Sequence, residues 1–196
     1  MKLYWSAHTR SLRAMWMLEE VGVQYERVTV DLGRSLSERG ADFLAASPMG
    51  KVPALEDGEV RMSDSAAICL YLADRYAPRR LAPAVDDPGR GRFLSWMIFT
   101  PGVIEPSMAE KAGGWPPQPS RHGWGSFDTM IHTLEEGLKP GPWLLGKRFT
   151  AADVMVGSSA AFMRMFKMLP SSPVIEAYAG RCLARPAYQR ALAVEN

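Results

Sequence analysis

The order of elements in the first 76 residues is the feature that most limits the fold. Lys2–Trp5 is a strand candidate. Ser11–Val21 is apolar, rich in strong helix formers and followed by Gly22, which predicts a helix that ends there. Tyr25–Val30 alternates polar and β-branched residues, as a strand does. The chain is therefore predicted to begin β-α-β.

The residues that follow extend this order. Ser37–Ala45 is typical of a short helix. Ala54–Glu56 and Val60–Met62 flank an Asp-Gly dipeptide, which favours a tight turn, so the two segments predict a β-hairpin. Ser63–Arg75 is apolar over most of its surface and opens with N-cap residues, which predicts a helix. The predicted order is β-α-β-α-β-β-α, a thioredoxin-like arrangement.

The composition changes after this helix. Ala77–Gly91 is rich in Pro, Gly and Asp, which favours a linker. Each later candidate element has a helical pattern: Arg92–Ala112, Ser126–Lys139, Ala151–Phe166, Ile175–Ala184 and Ala187–Val194. We therefore predict an α/β thioredoxin-like N-terminal domain at 1–77, a linker at 78–90 and an all-α C-terminal domain at 91–196.

Charge and cysteine content exclude several classes of function. The 23 basic and 21 acidic side chains leave a net charge of +2, too small to indicate a nucleic-acid partner. The sequence shows no signal peptide and no apolar run near the ~18 residues that span a bilayer, so we expect no membrane partner. Cys69 and Cys182 lie in apolar helical patterns and predict buried free thiols. These features favour a cytoplasmic protein.

Two short motifs on either side of the predicted hairpin have the chemistry of a peptide-binding site. If the bond between Val52 and Pro53 is cis, the backbone groups of Val52 face outward and can pair with an extended peptide. Asp64 and Ser65 begin a helix, where Ser65 and free N–H groups favour a carboxylate and Asp64 can accept an ammonium. A carboxylate beside an ammonium describes the γ-glutamyl end of glutathione. The alternatives are an edge-strand proline and ordinary capping residues.

With these motifs the chain resembles a cytosolic glutathione S-transferase, nearly from end to end. The segments that carry the resemblance are Leu18–Glu26, Pro48–Leu55, Asp64–Ile68 and Phe149–Val154. The resemblance implies that Val52, beside Pro53, pairs with the cysteinyl backbone of glutathione. Asp64 and Ser65 would hold the γ-glutamyl group, and Lys51 would lie near the peptide, where it could meet a carboxylate.

Two further features of the sequence are a basic residue near the second helix and a capping motif within Phe149–Val154. Relatives often use a basic residue near the second helix for the glycyl carboxylate, and Arg39 is the nearest candidate, although nothing local distinguishes it from a solvated arginine. Thr150 and Asp153 have the spacing of a capping box, in which the two residues satisfy each other's backbone at the start of a helix.

The resemblance also places a Ser, Tyr or Cys between the first strand and the first helix, where its side chain stabilises the glutathione thiolate. Relatives often read Ser-Arg-Ser where this chain has Thr9, Arg10 and Ser11, and Arg10 replaces the cysteine of the beta-type enzymes. Thr9 and Ser11 are therefore the catalytic candidates, with Ser6 behind them; all three could instead be capping residues. At helical spacing Thr9 and Ser11 point apart, so one of them is expected to face glutathione. Alignment to the Ser-Arg-Ser pattern favours Thr9, whereas capping geometry and exposure favour Ser11. Tyr4 is expected in the core.

Together these inferences predict an enzyme that joins the glutathione thiolate to an electrophilic, largely apolar small molecule, with glutathione as co-substrate and no metal. The alternatives are a glutathione-dependent peroxidase or isomerase on the same site, and a non-catalytic carrier of glutathione or of an apolar ligand. Large apolar residues of the helical domain are available for an acceptor pocket or for helix packing: Trp96, Met97, Phe99, Trp115, Phe162, Met165 and Met168. The resemblance and the largely apolar third helix predict a two-fold homodimer.

Overall fold

The computed structural model describes residues 1–194, which form two compact units. The first unit contains Met1–Pro78 together with residues 186–194, and the second contains Arg79–Arg185. This grouping differs from the proposed domain limits at both ends of the helical region. The segment after Pro78 belongs to the second unit, where Leu81 is buried and its carbonyl accepts a hydrogen bond from the Ala151 amide at 2.9 Å. The domain limits of 1–77, 78–90 and 91–196 stay a prediction.

The first unit is built on a four-stranded mixed sheet. Its strands are β1 (Lys2–Trp5), β2 (Glu26–Thr29), β3 (Ala54–Asp57) and β4 (Val60–Ser63), in the spatial order β2-β1-β3-β4. β1 runs parallel to β2 and antiparallel to β3, and β3 and β4 form the predicted hairpin. The α/β thioredoxin-like fold that the sequence predicts for this region is confirmed.

Within residues 1–194, four helices accompany the sheet: α1 (Ser11–Val21), α2 (Ala41–Ala46), α3 (Ser65–Tyr76) and α9 (Pro186–Leu192). The prediction of one helix over 37–45 is wrong in its limits. Leu36–Glu38 forms a separate 3₁₀ turn, and Gly40, with φ 89°, interrupts the helical path before α2 begins. Glycine adopts that backbone angle without a steric penalty, so the chain changes direction there.

The core of the first unit is formed around α1. Residues 14–18 of this helix have no exposed surface, because α3 and α9 both pack against it. Trp16 meets Tyr188 of α9 edge to face at 5.0 Å, and the guanidinium of Arg190 lies 2.7 Å from the carboxylate of Glu19. These contacts explain why the last helix belongs to the first unit.

The second unit is helical, as predicted. Its helices are α4 (Arg90–Phe99), α5 (Glu105–Gly113), α6 (Phe127–Leu138), α7 (Ala151–Met165) and α8 (Pro173–Leu183). A π-helical turn at Thr100–Ile104, which contains Pro101, joins α4 to α5 without a break. Residues 151–160 of α7 are all buried, so α7 forms the centre of this unit. Among the residues described, no helix has both the length and the apolarity needed to cross a membrane.

Both cysteines are free and buried, as the sequence predicts. Burial raises the pKa of the Cys69 thiol to about 12, and it also raises the pKa of Cys182. A thiol reacts as its thiolate, so neither residue is a nucleophile near neutral pH in this structure.

Candidate active site

The predicted site residues meet at one edge of the sheet in the first unit. Ala54 pairs with Tyr4 on one side and with Ser63 on the other. This register brings three chain segments to the same edge: the one that follows β1, the one that precedes β3 and the one that follows β4. They contain the hydroxyl candidates, the Val52–Pro53 motif and the Asp64–Ser65 motif, respectively.

The segment before β3 has the predicted backbone. The peptide bond between Val52 and Pro53 is cis. Pro53 is buried, Val52 is partly buried and Lys51 is exposed. The hydroxyl of Ser47, itself buried, donates to the carbonyl of Lys51 at 2.8 Å and accepts from the Lys51 amide at 3.0 Å. The approach to Val52 is therefore held by a side chain that sequence reasoning had not singled out.

The N-terminus of α3 carries the acidic and hydroxyl groups expected there. Asp64 is the N-cap residue, and its Oδ1 accepts a hydrogen bond from the Ala66 amide at 2.8 Å. The side chain is exposed, and Oδ2 makes no hydrogen bond or ion pair within residues 1–194. Asp64 is thus a capping residue that keeps one carboxylate oxygen available for a ligand cation.

The hydroxyl oxygen of Ser65 accepts a hydrogen bond from Arg13. Nη1 of Arg13 donates to the Ser65 hydroxyl oxygen at 3.4 Å, and Arg13 is only 2% exposed. Because the oxygen of Ser65 accepts from the guanidinium, its own O–H is left to donate elsewhere. A buried positive charge therefore lies behind a hydroxyl donor, and this pairing favours an anion at Ser65.

The two catalytic candidates lie close together. Oγ of Ser11 is 2.9 Å from Oγ1 of Thr9, so the prediction that they point apart is wrong. The physical reason is that α1 begins at Ser11, and Thr9 lies before it with no helical constraint. Ser11 has no exposed surface, whereas Thr9 is partly exposed, so the expectation of a more exposed Ser11 is also wrong. A catalytic role for either stays a prediction.

The hydrogen bonds of Thr9 define what its hydroxyl can do. Oγ1 of Thr9 lies 2.7 Å from the carbonyl of Ser6, to which it donates, and it accepts from the Ser11 amide at 3.1 Å. A hydroxyl has one proton, so Thr9 shares its proton between the Ser6 carbonyl and Oγ of Ser11, which accepts from it at 2.9 Å. The Ser11 amide donates to the Thr9 oxygen, polarises its O–H and makes it a stronger donor. The Ser6 hydroxyl makes no hydrogen bond to the described part of the chain.

Tyr4 lies in the core, as expected. It is 4% exposed, packs against Phe43 at 5.6 Å between ring centroids, and donates its hydroxyl to Glu56. Desolvation raises the pKa of Tyr4, and the Glu56 carboxylate raises it further. This phenol is therefore a structural group.

The apolar candidates of the second unit divide into two sets. Trp96 and Met97 are buried in the helical core, and the Trp96 ring leaves no room for a side chain at Gly137. Trp115 and Met165 are 58% and 63% exposed, and Phe99, Phe162 and Met168 are partly exposed. Phe166, which was not singled out, is also exposed and stacks on Phe162. Only the second set offers apolar surface to a ligand.

Comparisons with known proteins agree along the length of the chain. Residues 9–75 match the family model described as glutathione S-transferase, N-terminal domain, and residues 101–179 match the model described as glutathione S-transferase, C-terminal domain. The chain is 30% identical over 208 residues to glutathione S-transferase GstA of Escherichia coli O157:H7, covering 100% of this chain and 99% of that protein. It is 27% identical to the disulfide-bond oxidoreductase YfcG of Escherichia coli K12, with 97% and 93% covered.

Solved structures show the same similarity. A sphingomonad glutathione S-transferase complexed with glutathione has a TM-score of 0.81 and 30% identity, and the match covers 100% of this chain and 98% of the other. The bacterial enzyme BphK, solved as a ternary complex, has a TM-score of 0.83 and 28% identity, with 100% and 99% covered.

Proposed function

We propose that this chain, which is an enzyme of the glutathione S-transferase family, joins the thiolate of glutathione to an electrophilic, largely apolar small molecule. One observation carries the proposal: the register of β1, β3 and β4 brings a peptide-pairing backbone, an ammonium acceptor, an anion site and a polarised hydroxyl to one edge of the sheet. Glutathione has the matching groups, namely a peptide backbone, an α-ammonium, an α-carboxylate and a thiol.

Each of these groups has a proposed partner. The backbone of Val52 pairs with the cysteinyl residue of glutathione as an added strand. The free oxygen of Asp64 accepts the γ-glutamyl ammonium. The hydroxyl of Ser65 and the N-terminus of α3 receive the γ-glutamyl carboxylate, with the charge of Arg13 behind them. Lys51, which is exposed, is the cation available to the glycyl carboxylate.

Thiol activation follows from the hydroxyl pair. A free thiol with a pKa near ~8.5 is mostly protonated at neutral pH, and the thiolate is the nucleophile. In the proposed mechanism the proton of Thr9 turns from the Ser6 carbonyl to the glutathione sulfur, while the Ser11 amide keeps donating to the Thr9 oxygen. Lowering the thiol pKa by two units requires about 2.7 kcal/mol, a magnitude within reach of one charge-assisted hydrogen bond and a helix dipole. The thiolate then attacks the electrophile, an S–C bond forms, and any leaving group departs with its electron pair.

The second substrate is proposed to be apolar because the second unit exposes large, soft side chains. Trp115, Met165 and Phe166 are each more than half exposed, so their side chains offer apolar contact area to a ligand. Methionine adapts to ligands of different shape, as a broad acceptor range requires. The homodimer that the resemblance implies remains part of this proposal.

A second candidate function is glutathione-dependent reduction of disulfides, for which the similarity to YfcG is the specific observation. Cys69 and Cys182 are buried, so this chain would contribute no thiol of its own. Two glutathione molecules would supply the electrons, giving two thiols from the substrate disulfide and one molecule of oxidised glutathione.

Product analysis of reactions with glutathione tests both functions. The protein is mixed with glutathione and a panel of aryl halides, enones, peroxides and small disulfides, and the products are identified by mass. An S-conjugate supports the first function, whereas oxidised glutathione formed only with a disulfide supports the second. Glutathione binding without turnover across the panel would identify a carrier and contradict both.

A further inference from the structure

We propose that Arg39 is a positioning residue, which clamps the backbone before Val52 and does not bind the glycyl carboxylate of glutathione. The inference rests on the proposed glutathione site. It assigns the residue from the arrangement of its hydrogen bonds, and it leaves Lys51 as the cation that meets the carboxylate.

The guanidinium of Arg39 is directed at backbone carbonyls. Nε and Nη2 donate to the carbonyl of Arg34 at 3.1 and 2.9 Å, and Nη2 also donates to the carbonyl of Leu32 at 2.7 Å. Nη1 donates to the carbonyl of Gly50 at 2.8 Å. An arginine has five N–H groups, and four of the five are used in these bonds. A bidentate contact with a carboxylate needs two parallel N–H groups, which Arg39 does not have free.

The bond to Gly50 fixes the peptide unit that leads into the site. The carbonyl of Gly50 and the amide of Lys51 belong to one planar peptide group. Arg39 holds the carbonyl side, and Ser47 Oγ holds the amide side at 3.0 Å. The Gly50 amide in turn donates to the Ser47 carbonyl at 2.7 Å. Because both sides of this peptide group are held, the orientation of Lys51 and Val52 is set before glutathione binds.

Close packing supports the same clamp. Gly50 has φ +64°, and a Cβ added there would lie 2.2 Å from Cδ1 of Leu36. Leu36 belongs to the same segment as Arg39, so this segment contacts the loop before β3 through both an apolar and a polar group. A side chain at position 50 would be strained by the positive φ and would push the Leu36 side chain away from the loop.

Lys51 has the opposite properties. Its side chain is exposed, and its ammonium makes no ion pair within the described residues 1–194. A free cation beside the peptide-pairing residue suits a flexible carboxylate at the end of a bound peptide. The geometry thus separates two basic residues by role: Arg39 shapes the backbone and Lys51 meets the ligand.

The test uses ligand titration with glutathione and with its glycyl monoethyl ester, which lacks the carboxylate charge. Arg39→Ala should weaken both ligands by the same factor, about tenfold, because a shared backbone is disturbed. The ratio of the affinity for glutathione to the affinity for the ester should therefore equal that of the parent protein. Lys51→Met should bring this affinity ratio close to one. A ratio close to one in Arg39→Ala, together with the parental ratio in Lys51→Met, would overturn the proposal.

Hydrogen exchange at the Lys51 amide provides a readout that does not need the ligand. Exchange should accelerate in Arg39→Ala, and less so in Arg39→Lys, which retains a donor for one carbonyl. Arg34→Ala is the matched control, because that exposed side chain pairs only with Asp31 in the described structure. Unchanged exchange in both Arg39 variants contradicts the clamp.

If the parent binds neither ligand, the proposed function fails, and the exchange result still decides the clamp. Should Arg39→Ala not fold, Arg39→Lys carries the same comparisons.

Discussion

The helices α3 and α7 begin with the same kind of group, yet the two N-termini differ in what they can do. At α3 the carboxylate of Asp64 accepts one backbone amide and is exposed. At α7 the carboxylate of Asp153 is 0% exposed and belongs to a capping box with Thr150. Both satisfy amides that a helix leaves unpaired.

The difference lies in how many lone pairs are used. Oδ1 of Asp153 accepts from the Leu144 amide and the Tyr178 hydroxyl, and Oδ2 accepts from the amide and the hydroxyl of Thr150. A carboxylate has about four acceptor positions, so Asp153 is saturated by its own protein. Asp64 uses one position. Two properties therefore distinguish a structural cap from a ligand site: the burial of the carboxylate and the number of its acceptor positions that the protein already uses. Residue type does not distinguish them.

The largest expected effect is on stability at the saturated cap. Asp153→Ala removes the acceptor of four buried hydrogen bonds and should lower the free energy of unfolding by about 3 kcal/mol or more. Asp64→Ala removes one exposed cap and should cost about 1 kcal/mol. Chemical unfolding at pH 7 measures both. Asp128→Ala, an exposed acid in the first turn of α6, is the control; equal losses at positions 153 and 64 would contradict the comparison.

The next effect is the pH dependence that Asp153 imposes. Desolvation raises its pKa to about 6, although the four hydrogen bonds lower it. The folded-state pKa lies above the unfolded value, so the stabilising contribution is fully present below about pH 4 and is lost as the pH rises through 6. The largest contribution that this pKa shift can make to the free energy of unfolding is roughly 3 kcal/mol, since each pKa unit is worth about 1.4 kcal/mol.

Asp153→Asn isolates that contribution because asparagine does not titrate. The stability advantage of the parent over this variant should be largest near pH 4 and should shrink towards pH 6.5, as measured by unfolding at a series of pH values. An advantage that grows over this range would show that hydrogen bonding, and not desolvation, sets the pKa.

The unsaturated cap should affect binding instead. Asp64→Ala should weaken glutathione binding by roughly 1.5–3 kcal/mol, the scale of a hydrogen bond to a charged group. Asp64→Asn sharpens the result, because its amide oxygen can still accept from Ala66 while the charge is lost. It should keep the stability of the parent and lose most of the affinity. Unchanged affinity in both folded variants, measured by calorimetry, would exclude Asp64 from the ligand site.

Most of the fold could be read from the sequence, because its signals are local. Period-2 and period-3.6 patterns located the strands and helices, and the Asp-Gly dipeptide located the hairpin. The exception at residues 36–46 arose because Gly40 adopts a positive φ that composition does not reveal. The return of α9 to the first unit depends on contacts such as Trp16 with Tyr188, which are remote in sequence.

The site was predictable only as a set of residues. Motif spacing identified Val52, Asp64 and Ser65, but hydrogen-bond direction depends on tertiary contacts. The roles of Ser47 and Arg39 rest on single backbone atoms, which leave no trace in the pattern. Arg13 did carry a signal: a charged residue in the apolar run 12–18 indicates a buried partner.

The smallest effect concerns the hydroxyl pair before α1, where neither group is a simple cap. If Thr9 donates to the glutathione sulfur, Thr9→Val should raise the pKa of the bound thiol by about one unit, or 1.4 kcal/mol. Ser11→Ala should raise it less, because the Ser11 hydroxyl only accepts from Thr9, and the amide that donates to the Thr9 oxygen is kept in the variant. Ultraviolet titration of the bound thiolate measures both shifts. Glutathione affinity at low pH, where the thiol is neutral, should hardly change, which separates thiolate stabilisation from a general loss of binding.

A larger shift in Ser11→Ala would reverse the two roles. Parental titration and turnover in both variants would exclude both hydroxyls, and activation would then come from backbone N–H groups or from Ser6, whose hydroxyl is unengaged among residues 1–194.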